Sequence, residues 1–224
     1  MDETVRAWIA GWVVSRGAAR PRAEPWGWTI DVGQAAHVTR HVLGATGDAV
    51  EEETVRKVAG SVLGRGVWLK VFAAPDRVGP WLDGGWWIDP EPGCLMSVRL
   101  PGTDAARERP LPDGYRLREW EQGGVTRVLV TAADGSFAAR GQIAPTGPTA
   151  VVDQVETDPD HRRRGLGSLV MRTLHRAAAG QGAHTAVLGG TPEGRALYES
   201  LGWRVVAPLT SARFVGDGNR VTAA

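Results

Sequence analysis

Within residues 3–16, Val5, Trp8, Ile9, Trp12 and Val13 recur three and four apart, which predicts one amphipathic helix. The period then shortens towards two. WGWTIDV alternates and predicts a strand, and VWLKVF, GWWIDP and CLMSVRL predict three more short ones. AAHVTRHVL suits either period. DAVEEETVRKVAGSVL opens on acids, carries Val55, Val58, Val62 and Leu63 at helical spacing and stops at Gly64, so a helix is predicted there. From Tyr115 the pattern becomes a meander. YRLREW, VTRVLVTAA, SFAARGQIA and TAVVDQVET are strand candidates parted by EQGG, DG and PTGP, and Asp134-Gly135 is a strong hairpin signal. A helix from about Leu166 to Ala179 follows, then a strand HTAVLG, a helix PEGRALYESL with Pro192 near its first turn, and a last strand pair, WRVVAPL and SARFV. That order implies an α/β or α+β sheet protein.

Eight of the ten tryptophans precede residue 100, and LPGTDAARERPLPDGY has the proline, charge and small residues of a linker. The expected organisation is a Trp-rich α+β region over 1–100, a linker over 101–113, a second domain over 114–216 and a C-terminal tail over 217–224. At 224 residues, 42% hydrophobic and 23% charged, the chain can bury a sizeable core. Its 26 basic and 25 acidic residues nearly cancel, which argues against nucleic acid as a partner. The single cysteine, Cys94, excludes an intrachain disulfide framework, suits a reducing cytoplasm and reads as a buried small hydrophobe. The N-terminus opens on acids and its apolar run breaks early, so neither a signal peptide nor a membrane anchor is expected. Alanine, glycine and arginine far exceed lysine (only Lys57 and Lys70), the usage of a GC-rich bacterial coding sequence.

The chemistry concentrates in ETDPDHRRRGLGSLVMRTLHRAAA, residues 156–179, where a strand runs into a glycine-bearing turn that opens a helix. Gly165 and Gly167 remove side chains that would block a close approach, so successive N–H groups can face one point. The unpaired N–H groups and positive dipole end of the helix point the same way, and neighbouring arginines add charge-assisted bonds to phosphate oxygens. The dinucleotide pattern G-x-G-x-x-G is not met, because Val170 stands at the third glycine, and the Walker pattern is absent.

What is met is [QR]-x-x-G-x-[GA], as Arg162-Arg163-Arg164-Gly165-Leu166-Gly167. This resembles the pyrophosphate loop of the GNAT superfamily of acetyl-CoA-dependent N-acetyltransferases. GRALYESLGW, residues 194–203, resembles a second block of the same family, A-x-x-L-Y-E-x-L-G-F, so the resemblance covers roughly residues 113–210. It implies a mixed, mostly antiparallel sheet with a splayed strand pair, flanked by helices, with acetyl-CoA as co-substrate. The backbone of Val155, Glu156 and Thr157 would pair with the pantetheine, and the loop from Arg162 through Arg163, Arg164, Gly165, Leu166 and Gly167 to Ser168 would wrap the pyrophosphate. Tyr198 matches the tyrosine that protonates the departing thiolate, a task suited to a phenol that stays protonated at neutral pH. A neutral amine would attack the acetyl carbonyl directly, with a backbone N–H near Val155 polarising its oxygen.

Two departures stand out. Thr191 replaces a common asparagine and Gly194 a common alanine, so the cofactor hydrogen bond expected at 191 is only partly replaceable by a hydroxyl. The helices that usually wall the acceptor site are missing, since EQGG alone joins the first two strands of the meander; the Trp-rich half is then the supplier of that wall. That half itself faintly echoes the family's closing block in GPWLDGGWWIDPEPGCLMSVRL, as a degenerate tandem copy would. Asp153 and Glu156 are candidate bases, and their odd separation allows only one to face the acceptor. His161 sits at the loop mouth. His37 and His41 stand four apart but lack a third ligand, and no metal is expected. The expected activity is transfer of acetyl to a primary amine of a small molecule or peptide, with a non-catalytic CoA-binding module as the alternative. The expected partners exclude nucleic acid and membrane, and a homodimer is left open.

Overall fold

The structure, a computed structural model, describes residues 1–100 and 110–216; most of the expected linker and the tail lie outside the described residues. The first helix, α1 (Glu3–Arg16), starts where Asp2 accepts hydrogen bonds from the Thr4 and Val5 N–H groups and ends at Gly17, left-handed at φ 59°. The chain continues through β1 (Arg22–Glu24), β2 (Gly27–Gln34), β3 (His37–Thr46), α2 (Glu52–Gly60), β4 (Val67–Phe72), α3 (Pro75–Val78), β5 (Trp86–Ile88) and β6 (Gly93–Arg99). The second half is β7 (Tyr115–Gln122), β8 (Val125–Ala132), β9 (Phe137–Thr146), β10 (Thr149–Thr157), α4 (Leu166–Gly180), β11 (Thr185–Gly190), α5 (Pro192–Ser200) and β12 (Arg204–Phe214). The ambiguous AAHVTRHVL is strand β3. The last strand pair predicted at WRVVAPL and SARFV is instead the single strand β12. Pro208 is carried within it just past a bulge between Val205 and Ala207, a place where a strand tolerates proline.

The strands form one twelve-stranded sheet in the order β1-β2-β3-β4-β12-β6-β11-β10-β9-β8-β7, with β5 paired to β12 off that path. The sheet has two lobes, each with a parallel pair joined by a helix: β3–α2–β4 in the first and β10–α4–β11 in the second. The lobes exchange strands. β6, from the first half of the chain, lies between β11 and the start of β12, while the end of β12 lies between β4 and β5. The expected boundary near residue 100 therefore divides the chain but not the sheet.

The helix α1 ties the lobes together. Its Val5, Trp8, Ile9 and Trp12 form a core with Trp28, Ile30, Val42 and Phe72 of the first lobe and Leu95, Val151, Val187, Ala207 and Leu209 around the second. Gly11 permits the crossing, since a Cβ there would come within 2.4 Å of the Val151 side chain. On the opposite face of the second lobe, α4 buries Leu166, Val170, Met171, Leu174 and Ala178. Among the described residues no helix is long and apolar enough to cross a membrane.

Candidate active site

The parallel pair β10/β11 is joined only from Thr149↔Thr185 to Val151↔Val187. Beyond that β10 stays with β9 as far as Thr157, and β11 stays with β6 as far as Gly190, so the two strands part and leave a wedge. On the β10 side a bulge sets Gln154 and Val155 between the pairs Asp153↔Gln142 and Glu156↔Arg140. Gln154 takes φ 53°, a strained value for a residue with a side chain. The bulge turns the strand and re-aims its groups at the wedge, as bulges beside active sites do.

The chain then makes a short 3-10 turn at Pro159–His161, capped by Asp158, which accepts from the Asp160 N–H. Arg163 (φ 62°) and Gly165 (φ 80°) are both left-handed, and Gly165 caps α4 with no side chain over its first N–H groups. Alternation of this kind turns successive amides inward into a concavity for an anion. Gly167 is needed for closeness: a Cβ there would come within 2.9 Å of Leu197, so this end of α4 can sit against α5 and β10 only without one. A cavity of about 800 Å³ runs along the loop, lined by Val155, Glu156, Thr157, Arg162, Arg163, Gly165, Leu166, Gly167, Ser168 and Thr191, with further α5 residues including Glu193 and Gly194. Of the cofactor candidates only Arg164 is outside this lining. Its Nη1 donates to Tyr115 Oη at 2.9 Å and its Nη2 to the Asp160 carbonyl at 3.1 Å, and Tyr115 Oη also meets His161 Nδ1 at 2.9 Å, so Arg164 and His161 brace the loop from behind. Thr191 caps α5, its hydroxyl accepting from the Gly194 N–H at 3.3 Å.

A second cavity of about 1100 Å³ lies on the sheet face between the end of α1 and strands β7–β10, lined among others by Arg16, Gln34, Trp120, Arg127, Arg140 and Glu156. The first half of the chain thus supplies part of its wall. Glu156 is the one residue lining both cavities; its Oε2 accepts from Arg140 Nε at 2.9 Å and half of its side chain is exposed. The bulge overrides the odd separation of the two candidate bases: their partners Gln142 and Arg140 stand two apart, so both carboxylates face one side of the sheet, yet Asp153 is differently placed. Its carboxylate receives Arg16 through both Nε and Nη2, the Ser15 hydroxyl at 2.8 Å and the Gln154 N–H at 2.9 Å, so it fastens α1 to the bulge. Sequence reasoning missed Arg16, Gln142 and Gln154; nothing in the spacing of α1 indicates that its last turn reaches β10.

Tyr198 lines neither cavity. Its ring lies under the loop cavity beside Gly190 and Gly194, where a Cβ at 194 would stand 2.8 Å from Cε2 and 3.1 Å from the hydroxyl. The glycine at 194 therefore leaves only backbone between the hydroxyl and the cleft. Burial, with Cys94 and Asp153 adding to it, pushes the phenol up to about 12, so it stays protonated at neutral pH. His37 and His41 lie on a strand, about 13 Å apart along it, too far to share one ion. No cluster of three metal-ligating side chains occurs among the described residues.

The profile described as "Acetyltransferase (GNAT) family" matches residues 85–203. Among solved structures, a GCN5-related N-acetyltransferase from Kribbella flavida is 18% identical, with a TM-score of 0.64, over 97% of this chain and 96% of its own. A Drosophila protein is 15% identical with a TM-score of 0.64, over 95% of this chain and 88% of its own. A tandem GNAT protein from the clavulanic acid biosynthesis pathway is 13% identical with a TM-score of 0.54, over 97% of both chains, and it agrees with the two-lobed arrangement seen here. Comparison with curated proteins found no match.

Proposed function

The chain belongs to the acetyltransferase (GNAT) family, and from that premise we propose that it transfers acetyl from acetyl-CoA to a primary amine of a small molecule or peptide. One observation carries the reading: a cleft with a pyrophosphate-type loop and a separate sheet-face cavity meet at a single carboxylate, Glu156, beside a bulged strand. In this reading the donor lies in the wedge between β10 and β11. Backbone amides from Arg163 to Ser168 bind its pyrophosphate and Arg162 and Arg163 add charge, while the backbone of Val155 to Thr157 lies along the pantetheine. The acceptor enters from the α1 side. Glu156, paired with Arg140 but half exposed and lining both cavities, takes the proton from the incoming ammonium, whereas Asp153 is held by Arg16, Ser15 and the Gln154 N–H. The neutral amine attacks the acetyl carbonyl, whose oxygen is polarised by an amide of the bulge at Val155. The C–S bond breaks as Tyr198, packed against Gly194 of the cleft lining, gives its proton to the thiolate, and the proton shed by the nitrogen as the amide forms returns to the phenolate through solvent. The reaction suits a cytoplasmic enzyme, where acetyl-CoA is at hand.

The second reading, a CoA-binding module without catalysis, draws on the seclusion of Tyr198 from both cavities. Thiol release from acetyl-CoA over a broad amine panel separates the two. With a turned-over amine, Glu156→Gln and Tyr198→Phe are each expected to lower kcat by about 10²–10⁴-fold with CoA affinity retained. CoA binding without amine-dependent release across the panel would establish the module instead, and absence of CoA binding would remove both readings.

A further inference from the structure

Strand register in the first lobe builds an alternation of cations and indoles. Arg40 lies opposite Trp68, Trp68 opposite Arg213, and Arg213 opposite Trp87. Directly opposed residues share a face of the sheet, and so do positions two apart on one strand, which adds Lys70 and its partner Ser211 to this face. Lys70 Nζ stands 4.8 Å from the centre of the Trp68 ring and donates to Ser211 Oγ at 2.6 Å. The Arg213 guanidinium lies 5.9 Å from Trp68 and 5.3 Å from Trp87, and that of Arg40 lies 3.9 Å from Trp12 of α1.

None of these three cations has a salt bridge among the described residues. Arg40 Nε donates to His37 Nε2 at 3.2 Å, and Arg213 Nε is buried with no hydrogen-bond partner at all. Asp89 bears on Lys70 electrostatically without pairing with it. The neighbouring Arg16 shows the usual arrangement, a guanidinium seated on a carboxylate. Arg40 is buried and Lys70 and Arg213 are part-buried; drawing cations even partly out of water costs more than indole faces return, and such charges ordinarily come with a counter-charge. The face is reachable, since Trp87 is 40% exposed.

We propose that this face of the first lobe binds a small organic carboxylate, its oxygens held by Lys70 and Arg213 and its body against Trp68 and Trp87. The planar, apolar indole walls favour an organic acid over inorganic phosphate, which has no surface to lay on them. The site stands apart from the donor cleft and is tested without acetyl-CoA or amine. The test is calorimetric titration of the full chain with benzoate, with benzamide and inorganic phosphate as comparators. Benzoate is expected to bind, with benzamide at least about tenfold weaker. Lys70→Met and Arg213→Gln are expected to abolish benzoate binding, and Trp87→Ala, at a position that is part exposed, to weaken it.

A proton readout separates ligand binding from loss of packing. Burial, with the charge of Arg40 adding to it, pushes the Lys70 ammonium down to about 7, in a setting that also holds His37, Arg213 and Asp89. At pH 8 a bound carboxylate then draws a proton onto Lys70, so heats measured in buffers of different ionisation enthalpy differ for the wild type and agree for Lys70→Met. No benzoate binding, equal affinity for benzamide, tighter binding of phosphate, or unchanged benzoate affinity in Lys70→Met would each overturn the proposal.

Discussion

The strand–helix–strand crossover occurs twice in this chain, as β3–α2–β4 and as β10–α4–β11, and the copies differ in two places. In the first, the strands pair from Thr39↔Val67 to Val42↔Lys70 and, after a register shift, meet again at Thr46↔Phe72. In the second they part after Val151↔Val187, because β10 remains bonded to β9 while β11 follows the inserted β6. The helix entries also differ. The first opens from Glu51 with Glu52 and Glu53 in its first turn, a set that stabilises the helix by itself and repels an anion. The second opens from Gly165 behind arginines, with its amides left bare. A shared crossover is thus not what distinguishes the proposed donor site; a wedge between the strands and an undressed helix start are.

Three changes test that contrast, in falling order of effect. Gly167→Val gives α4 a side chain where 2.9 Å separates the missing Cβ from Leu197, and so makes the second copy resemble the first. kcat/KM for acetyl-CoA is expected to fall by about a hundredfold. Circular dichroism checks that the fold persists, and an unchanged kcat/KM would show that close packing there is idle.

The second test uses pH, since the first lobe spends its cations on burial rather than on a donor. Lys70 titrates near 7 folded and near 10.5 unfolded, so between those values the unfolded chain holds more protons. Stability is therefore expected to rise with pH across that window, and Lys70→Met to flatten the rise in urea unfolding series. An identical slope in the variant would place Lys70 in water.

The smallest effect belongs to the acids of α2. Replacing Glu52 and Glu53 by glutamine removes the charge that disfavours an anion at the first crossover. CoA stoichiometry by calorimetry is expected to stay at one, because the strands there remain closed, while stability falls by about 0.3–1 kcal/mol. A second bound CoA would show that charge alone keeps the first lobe empty.

Much of the second lobe was legible in the sequence. The loop residues from Arg162 to Ser168 and the Asp134-Gly135 hairpin are local signals, set by what glycine and an Asp-Gly turn allow between neighbours. Periodicity likewise located α1, α4 and α5. Less was legible where a signal depends on a distant partner. WRVVAPL and SARFV read as two strands until a bulge and two different neighbours carry β12 through as one. Asp153 and Glu156 look alike along the chain, and only the arrival of Arg16 and Ser15 on one of them separates a fastener from a candidate base.

By itself, then, the sequence determined most of the elements and the family, because each of these rests on residues close together in the chain. Tertiary structure alone decided which half completes which sheet. It also decided that α1 walls the second cavity, that Tyr198 lies beneath the cleft and that Lys70 and Arg213 gather over Trp68 without a salt bridge. These depend on strand register and helix crossing, where contacts such as Gly11 on Val151 or Arg213 opposite Trp68 join residues more than a hundred positions apart. No local propensity encodes such a meeting; burial of a shared core does.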